Sequence, residues 1–211
     1  MPIKVEKLVL GPVEANTYII TDEESGQSAV IDAGDFNEAL KTAVSDKNVK
    51  YILLTHGHFD HILGVHGLKE FTNAKVVIHP ADSDCLKDGN KSLAFAAGGF
   101  PQVPVEADIL VSQGDTLNLG NTEIKVMHTP GHTKGGVCYI IEKDRILFTG
   151  DTLFALTVGR TDFEGGSDEE MFESVMRLSG LNGDYAVYPG HNRSTTLENE
   201  RQRNRYMRKL S

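Results

Sequence analysis

The 211-residue sequence has no tryptophan and only two cysteines, Cys85 and Cys138. Two cysteines cannot build a disulfide framework, and neither belongs to a Cys-x-x-Cys pair. Both are therefore expected as free thiols in a reducing compartment. No apolar run approaches the ~20 residues needed to span a bilayer. The N-terminal stretch MPIKVEKLVLGP is too short and too charged for a secretory signal. These absences predict a cytoplasmic protein with no membrane partner. Positive charge is scarce as well: 21 lysines and arginines face 30 acidic residues, a net charge of −9. Nucleic acids and anionic membranes need a positive face, so no general affinity for either is expected. A Gly-x-Ser-x-Gly element is also missing, which fits a chemistry that needs no serine nucleophile.

What is present fits a soluble globular chain, with 39% hydrophobic and 24% charged residues. A compact chain of this size buries roughly 70% of its unfolded surface, enough to hold a site rigidly without staples. With no linker and no low-complexity segment, residues 1–211 are expected to form one domain. Oligomeric state is left open. One basic stretch departs from the overall charge. Arg201, Arg203, Arg205, Arg208 and Lys209 read as the solvated face of a last helix, or alternatively as a patch for an anionic substrate.

Short strands are expected at Lys4–Leu10, Asn16–Thr21 and Ser28–Asp32, with a turn over residues 22–26. Phe36, Ala39, Leu40 and Ala43 fall on one helical face. The apolar run Val49–Leu54 predicts a strand buried on both sides. A helical pattern then passes through Leu63, Leu68 and Phe71, followed by a buried strand at Lys75–His79. Residues 88–107 lack periodicity and read as an irregular insertion overhanging a site. Further strands are expected at residues 115–119, 122–128, 136–142, 145–149 and 185–188, with helices over Ser167–Leu178 and from about Thr195. Thr195 and Glu198 have the spacing of a capping box. This order suggests two mixed sheets packed face to face with helices outside.

The histidines carry the chemistry. His56, His58, Asp60 and His61 cluster immediately after a buried strand. In extended geometry His56 and His58 point the same way and can clasp one ion, while Asp60 and His61 reach a neighbouring point. Such a cluster has no packing use and would cost desolvation if unpaired. His132, Asp151 and His191 each follow a strand beside glycine or proline. Imidazole with carboxylate suits zinc, iron or manganese rather than calcium. His66, His79 and His128 lack that setting and are expected to be structural.

The Thr-His-x-His-x-Asp-His run, Thr129-Pro-Gly-His-Thr133, Phe148-Thr-Gly-Asp-Thr152 and Pro189-Gly-His191 together resemble the metallo-β-lactamase superfamily. Gly159-Arg-Thr-Asp-Phe-Glu-Gly-Gly166 and Pro189–Thr196 resemble its glyoxalase II-type, hydroxyacylglutathione hydrolase-like branch. The resemblance implies an αββα sandwich and a site for two divalent metal ions, zinc foremost, with iron or manganese as alternatives. It implies that His56, His58 and His132 hold one ion, Asp60, His61 and His191 the other, and that Asp151 bridges them. A metal-bridging hydroxide would attack the carbonyl of a small acyl thioester or ester, with Asp60 as the catalytic residue orienting it. Aspartate at 151 departs from the common β-lactamase cysteine, and histidine at 58 from the flavodiiron glutamate.

The glyoxalase II branch appends a C-terminal helical segment that contacts glutathione, and this chain stops about twenty residues after His191. Arg160 sits where the branch places a basic substrate anchor; its alternative is an ion pair with Asp162 or Glu164. Arg193, in the first turn expected after His191, is the other candidate substrate contact. A persulfide dioxygenase of the superfamily, with one iron on His56, His132 and Asp151, is the alternative function. A nucleic-acid phosphodiesterase ranks below both, because of the negative charge.

Overall fold

The structure, a computed structural model, describes residues 2–208. Eight-residue strands β1 (Ile3–Leu10) and β2 (Ala15–Asp22) form a hairpin, and β3 (Gln27–Ile31) extends it. Helix α1 (Glu38–Val44) starts where the Asn37 side chain accepts from the Ala39 and Leu40 amides. Strand β4 (Asn48–Leu53) lies parallel to β3. Two short helices, α2 (Phe59–Ile62) and α3 (Val65–Thr72), lead to β5 (Lys75–Ile78) and a 3-10 helix, Pro80–Leu86. Between that helix and β6 (Ile109–Leu110) no regular element intervenes, as expected for 88–107. The first sheet runs β1-β2-β3-β4-β5-β6 and mixes antiparallel with parallel pairs.

The second sheet uses β7 (Thr116–Leu119), β8 (Thr122–His128), β9 (Val137–Ile141), β10 (Ile146–Gly150), β13 (Ala186–Pro189) and β14 (Thr195–Thr196). A two-residue hairpin, β11 (Leu153–Phe154) with β12 (Thr157–Val158), follows β10. Helices α4 (Asp168–Ser179) and α5 (Leu197–Arg203) cover this sheet.

Period-two alternation sends neighbouring residues of one strand into different cores. Ile20, Ile31 and Leu53 meet Tyr139, Ile141 and Phe148 between the sheets. Ile19, Val30 and Ile52 face Leu40, Val44 and Leu68 of α1 and α3. Ile140, Leu147 and Val187 face Met171, Val175 and Leu178 of α4. Each central strand is thus covered on both faces, which explains the uninterrupted apolar runs. The result is an αββα sandwich of two mixed sheets.

Two expectations at the C-terminus need correction. The helix cap is Thr196, whose hydroxyl accepts from the Asn199 amide, one residue beyond the Thr195–Glu198 box. Glu200 is the reason: buried, it draws in the Thr195 hydroxyl (2.7 Å) and the Leu156 amide (2.7 Å), so Thr195 is committed elsewhere. The continuous basic helix also fails. It ends at Arg203, because Asn204 turns extended (ψ 118°) and binds Glu200 and the Thr157 carbonyl. Arg205 and Arg208 lie past that break, and Lys209 lies outside the described residues.

Candidate metal centre

Five chain segments that leave the carboxyl ends of strands meet at one edge of the sandwich. They follow β3, β4, β8, β10 and β13, and carry Asp32, His56 to His61, His132, Asp151 and His191. Backbone hydrogen bonds stitch this edge across the two sheets, from Val137 N–H to the Thr55 carbonyl and from Asn16 N–H to the Gly190 carbonyl. All seven expected donors come together there. His56, His58 and His132 offer atoms within 4.8 Å of one another, as do His56, His61 and Asp151, and Asp60, His61 and His191. Asp151 stands between the groups, 3.6 Å from His132 Nε2, 3.5 Å from His61 Nε2 and 3.7 Å from His191 Nε2. His66, His79 and His128 join none of these groups.

The donor set passes a stricter test. Four buried side-chain polar atoms of the described residues lack a hydrogen-bond partner, and three of them sit here: His56 Nε2, His61 Nε2 and Asp151 Oδ1. Each such orphan costs about 1–3 kcal/mol, so a cluster of them reads as a cradle for a cation. The opposite ring nitrogens are anchored. His61 Nδ1 donates to Asp32 Oδ2 (3.0 Å), and His132 Nδ1 donates to the Arg160 carbonyl (2.7 Å). His56 Nδ1 meets the Thr55 hydroxyl (3.1 Å), which itself donates to Asp32 Oδ2 (2.7 Å). Anchored through Nδ1, each ring presents Nε2 to the centre, the atom that would ligate an ion once its proton or hydrogen-bond partner is displaced.

Charge follows the same division. Burial, helped by His61, His58 and His132, holds His56 well below the ordinary histidine range. Burial and His132 push His58 down to about 3. Both rings are therefore neutral and able to ligate. Burial opposes charge on Asp60, but His61 and His191 outweigh it and keep the carboxyl well below its usual range. Burial likewise opposes protonation of His61, yet Asp60, Asp151 and Asp32 raise it well above 6.5. Divalent ions would take over the charge balance that these protons now provide, releasing protons as they bind.

A cavity of about 620 Å³ opens above the donors. Its walls are Val13, Leu93, Ala96, Ala97, Phe154 and Phe163, so three wall residues come from the 88–107 segment. That segment is pinned over α2 by Phe100 stacked on Phe59 (5.2 Å) and by the Phe59 amide donating to the Ser92 carbonyl. Arg160 also lines the cavity, but it forks onto Asp162 (2.6 Å twice) and lies 4.1 Å over the Phe163 ring. Arg193 is exposed and is not among the lining residues; its neighbour Asn192 occupies that wall instead.

Two residues of the centre were not singled out from the sequence. Asp32 orients Thr55 and His61, and its signal was available, a carboxylate ending an apolar strand before Ala-Gly. Asp82 offered no such signal, because Pro80-Ala-Asp-Ser reads as an ordinary helix start.

This fold and donor set define a protein of the metallo-hydrolase type. Residues 10–191 match the Metallo-beta-lactamase superfamily, and the chain belongs to that superfamily. It is 40% identical over 202 residues to an uncharacterised protein of Aquifex aeolicus, covering 95% of this chain and 94% of that one. It is 35% identical over 177 residues to a hydroxyacylglutathione hydrolase of Pelagibacter ubique, covering 83% of this chain but 65% of that enzyme. Among solved structures, the BLEG-1 B3 metallo-beta-lactamase superposes with a TM-score of 0.91 at 31% identity, over 97% of this chain and 99% of that one. TTHA1623 in a di-iron-bound form superposes at 0.85 with 33% identity, over 96% and 100%.

Proposed function

We propose that this protein hydrolyses small acyl thioesters or esters in the manner of glyoxalase II, as a cytoplasmic enzyme with two divalent ions. The observation that carries this reading is the convergence of seven ligand donors beneath an apolar-walled cavity. When bound, the ions (zinc foremost, iron or manganese as alternatives) supply an acidified water and an electrophile for the carbonyl oxygen.

The chain's own residues do the rest. Asp60 engages His61 and His191 through Oδ2, and its other oxygen orients the proton of the attacking water. Asp151 contacts donors of both groups, which is the position a bridging ligand requires. Phe154, Phe163 and Leu93 hold the acyl chain and keep bulk water from the reacting carbonyl. Arg160 reaches a substrate carboxylate by giving up Asp162 for it.

The persulfide dioxygenase alternative uses only His56, His132 and Asp151, and leaves four converging donors without a task. Likeness to BLEG-1 adds β-lactams to the substrates worth testing. Metal content by mass spectrometry after anaerobic isolation, with a panel of S-lactoylglutathione, other thioesters, a β-lactam and glutathione persulfide, separates these readings. Two ions per chain and thioester turnover are expected. A single iron with persulfide-dependent oxygen uptake, or β-lactam turnover alone, would replace the proposal.

A further inference from the structure

We infer that Asp82 is a positioning residue that sets the ion affinity of the three-histidine half of the centre; the inference rests on the metal-dependent reading of the site. Asp82 belongs to the 3-10 helix after β5 and is buried, yet it is not among the ligand donors. Its Oδ2 accepts from the Gly57 amide (3.0 Å) and the Thr133 hydroxyl (2.7 Å), and its Oδ1 from the Gly135 amide (2.7 Å). Gly57 separates His56 from His58, and Thr133 follows His132. One carboxylate thus ties together the two loops that deliver His56, His58 and His132. None of its hydrogen bonds goes to Asp60, His61 or His191.

The clamp leaves no room for slack. A Cβ on Gly135 would sit 2.5 Å from Asp82 Cγ, and one on Gly57 would sit 3.0 Å from the Asp82 carbonyl oxygen and closer still to Cys85. Glycine at 135 lets its loop close directly on the carboxylate, and glycine at 57 lets its loop close against the 3-10 helix that carries Asp82. Without it, three donors lose their acceptor in a buried place, and the spacing of His58 to His132 (2.9 Å) is no longer enforced. Asp32, by contrast, serves His61 directly and His56 through Thr55, so it reaches both halves. The expected signature of Asp82 is therefore selective.

The test uses the full chain, stripped of metal and titrated with zinc against a chromophoric chelator. The Tm of each variant is read with and without zinc. Asp82→Ala should weaken one of two sites by about 10–100-fold, the site that His58→Ala also loses, and leave the other within about threefold. Asp82→Asn keeps an acceptor for one side of the clamp but turns an NH2 donor onto the other, and should recover only part of the loss. Thr133→Val removes one donor of three without touching the carboxylate, and should give a smaller loss at the same site. Should Asp82→Ala fail to fold, Asp82→Asn and Thr133→Val carry the comparison. Equal weakening of both sites, or of neither, overturns the inference. A wild-type chain that holds a single ion sinks the two-metal reading instead, and Asp82 is then judged by whether that ion's affinity shifts.

Discussion

The two sheets supply the centre in different ways. The first delivers His56, His58, Asp60 and His61 from one continuous stretch that runs from the end of β4 into α2. Buried carboxylates, Asp32 and Asp82, hold that stretch from behind. The second delivers His132, Asp151 and His191 one at a time, each from a different strand end, and fixes them by close backbone approach. At Gly190 any Cβ would collide with Asp151 Oδ1, and at Gly159 with the Asp151 carbonyl. The first half therefore leans mainly on buried acceptors, with a close approach at Gly57, and the second leans more on missing side chains, although Asp82 and the Arg160 carbonyl also hold its His132 loop. Loss of an acceptor should damage the first, and added volume the second.

Asp151 is where the halves meet, so its loss should have the largest effect. Asp151→Ala is expected to lower turnover by about 10³-fold, more than alanine at His56, Asp60 or His191, and to reduce the ion count. Metal stoichiometry and kcat/KM across these four variants check the order. An Asp151 variant that kept two ions and near-normal turnover would break the bridging assignment.

Next comes added volume in the second half. Gly190→Ala places a methyl group against the Asp151 carboxylate and 2.8 Å from His61 Cε1. Repacking of that order costs about 1–3 kcal/mol, and a displaced ligand costs about 10–100-fold in affinity or activity. Gly180→Ala is the matched control, since its Cβ would meet only carbonyl oxygens at 3.4 and 3.7 Å. Activity and zinc affinity should fall for Gly190→Ala and hold for Gly180→Ala. Equal behaviour would mean that glycine does not set the geometry there.

The same contrast explains what was legible in the sequence. Five of the candidate ligands stand after strand ends beside glycine or proline, and Asp60 and His61 follow closely in the same run; hydrophobic patterning places strand ends well, so all seven could be named. The long strands and α4 followed from period and composition alone. Two-residue strands such as β6, β11, β12 and β14 carry no periodicity and were invisible. The supports were harder. Asp82 acts through residues 57, 133 and 135, which are remote from it along the chain, and a single sequence records no such pairing. The C-terminal helix was overextended because charge pattern alone does not reveal that Glu200 recruits Thr195 and Asn204.

That correction yields a smaller prediction. Arg201 is not on a solvated face: its guanidinium donates to the carbonyls of Ser179 (2.9 Å), Gly183 (2.8 Å) and Leu181, at and beyond the end of α4. It satisfies carbonyls that the helix end cannot. Arg201→Ala should cost about 1–2 kcal/mol and lower Tm by about 3–6 °C, with KM unchanged. Among the described residues Arg208 donates only to the nearby Gln202 carbonyl, and Arg208→Ala should stay within about 0.5 kcal/mol. Thermal unfolding of the two variants separates them.

The smallest expected effect lies where the sheets touch away from the ligands. His79, just after β5, stacks on His128 at the end of β8, with ring centroids 4.2 Å apart and planes 2° from parallel. His79 Nδ1 accepts from the Ala81 amide, and His128 Nε2 meets the Lys134 carbonyl. Parallel rings cannot aim two lone pairs at one ion, so this pair is a contact between the halves rather than a further ligand site. Burial first, then the facing His128, lowers His79 below the ordinary 6.5, with Asp82 working the other way. Above 6.5 the ring is neutral in both folded and unfolded chains and the contact stabilises fully. As pH falls from 6.5 towards the lower folded value, the unfolded chain binds a proton that the folded chain refuses, and stability declines. Protonation would also remove the acceptor for the Ala81 amide. His79→Asn keeps a capping acceptor but does not titrate, so its Tm should fall less steeply than wild type between about pH 7 and about pH 5. Parallel Tm–pH curves for the two proteins would remove the stacked pair as a source of acid sensitivity.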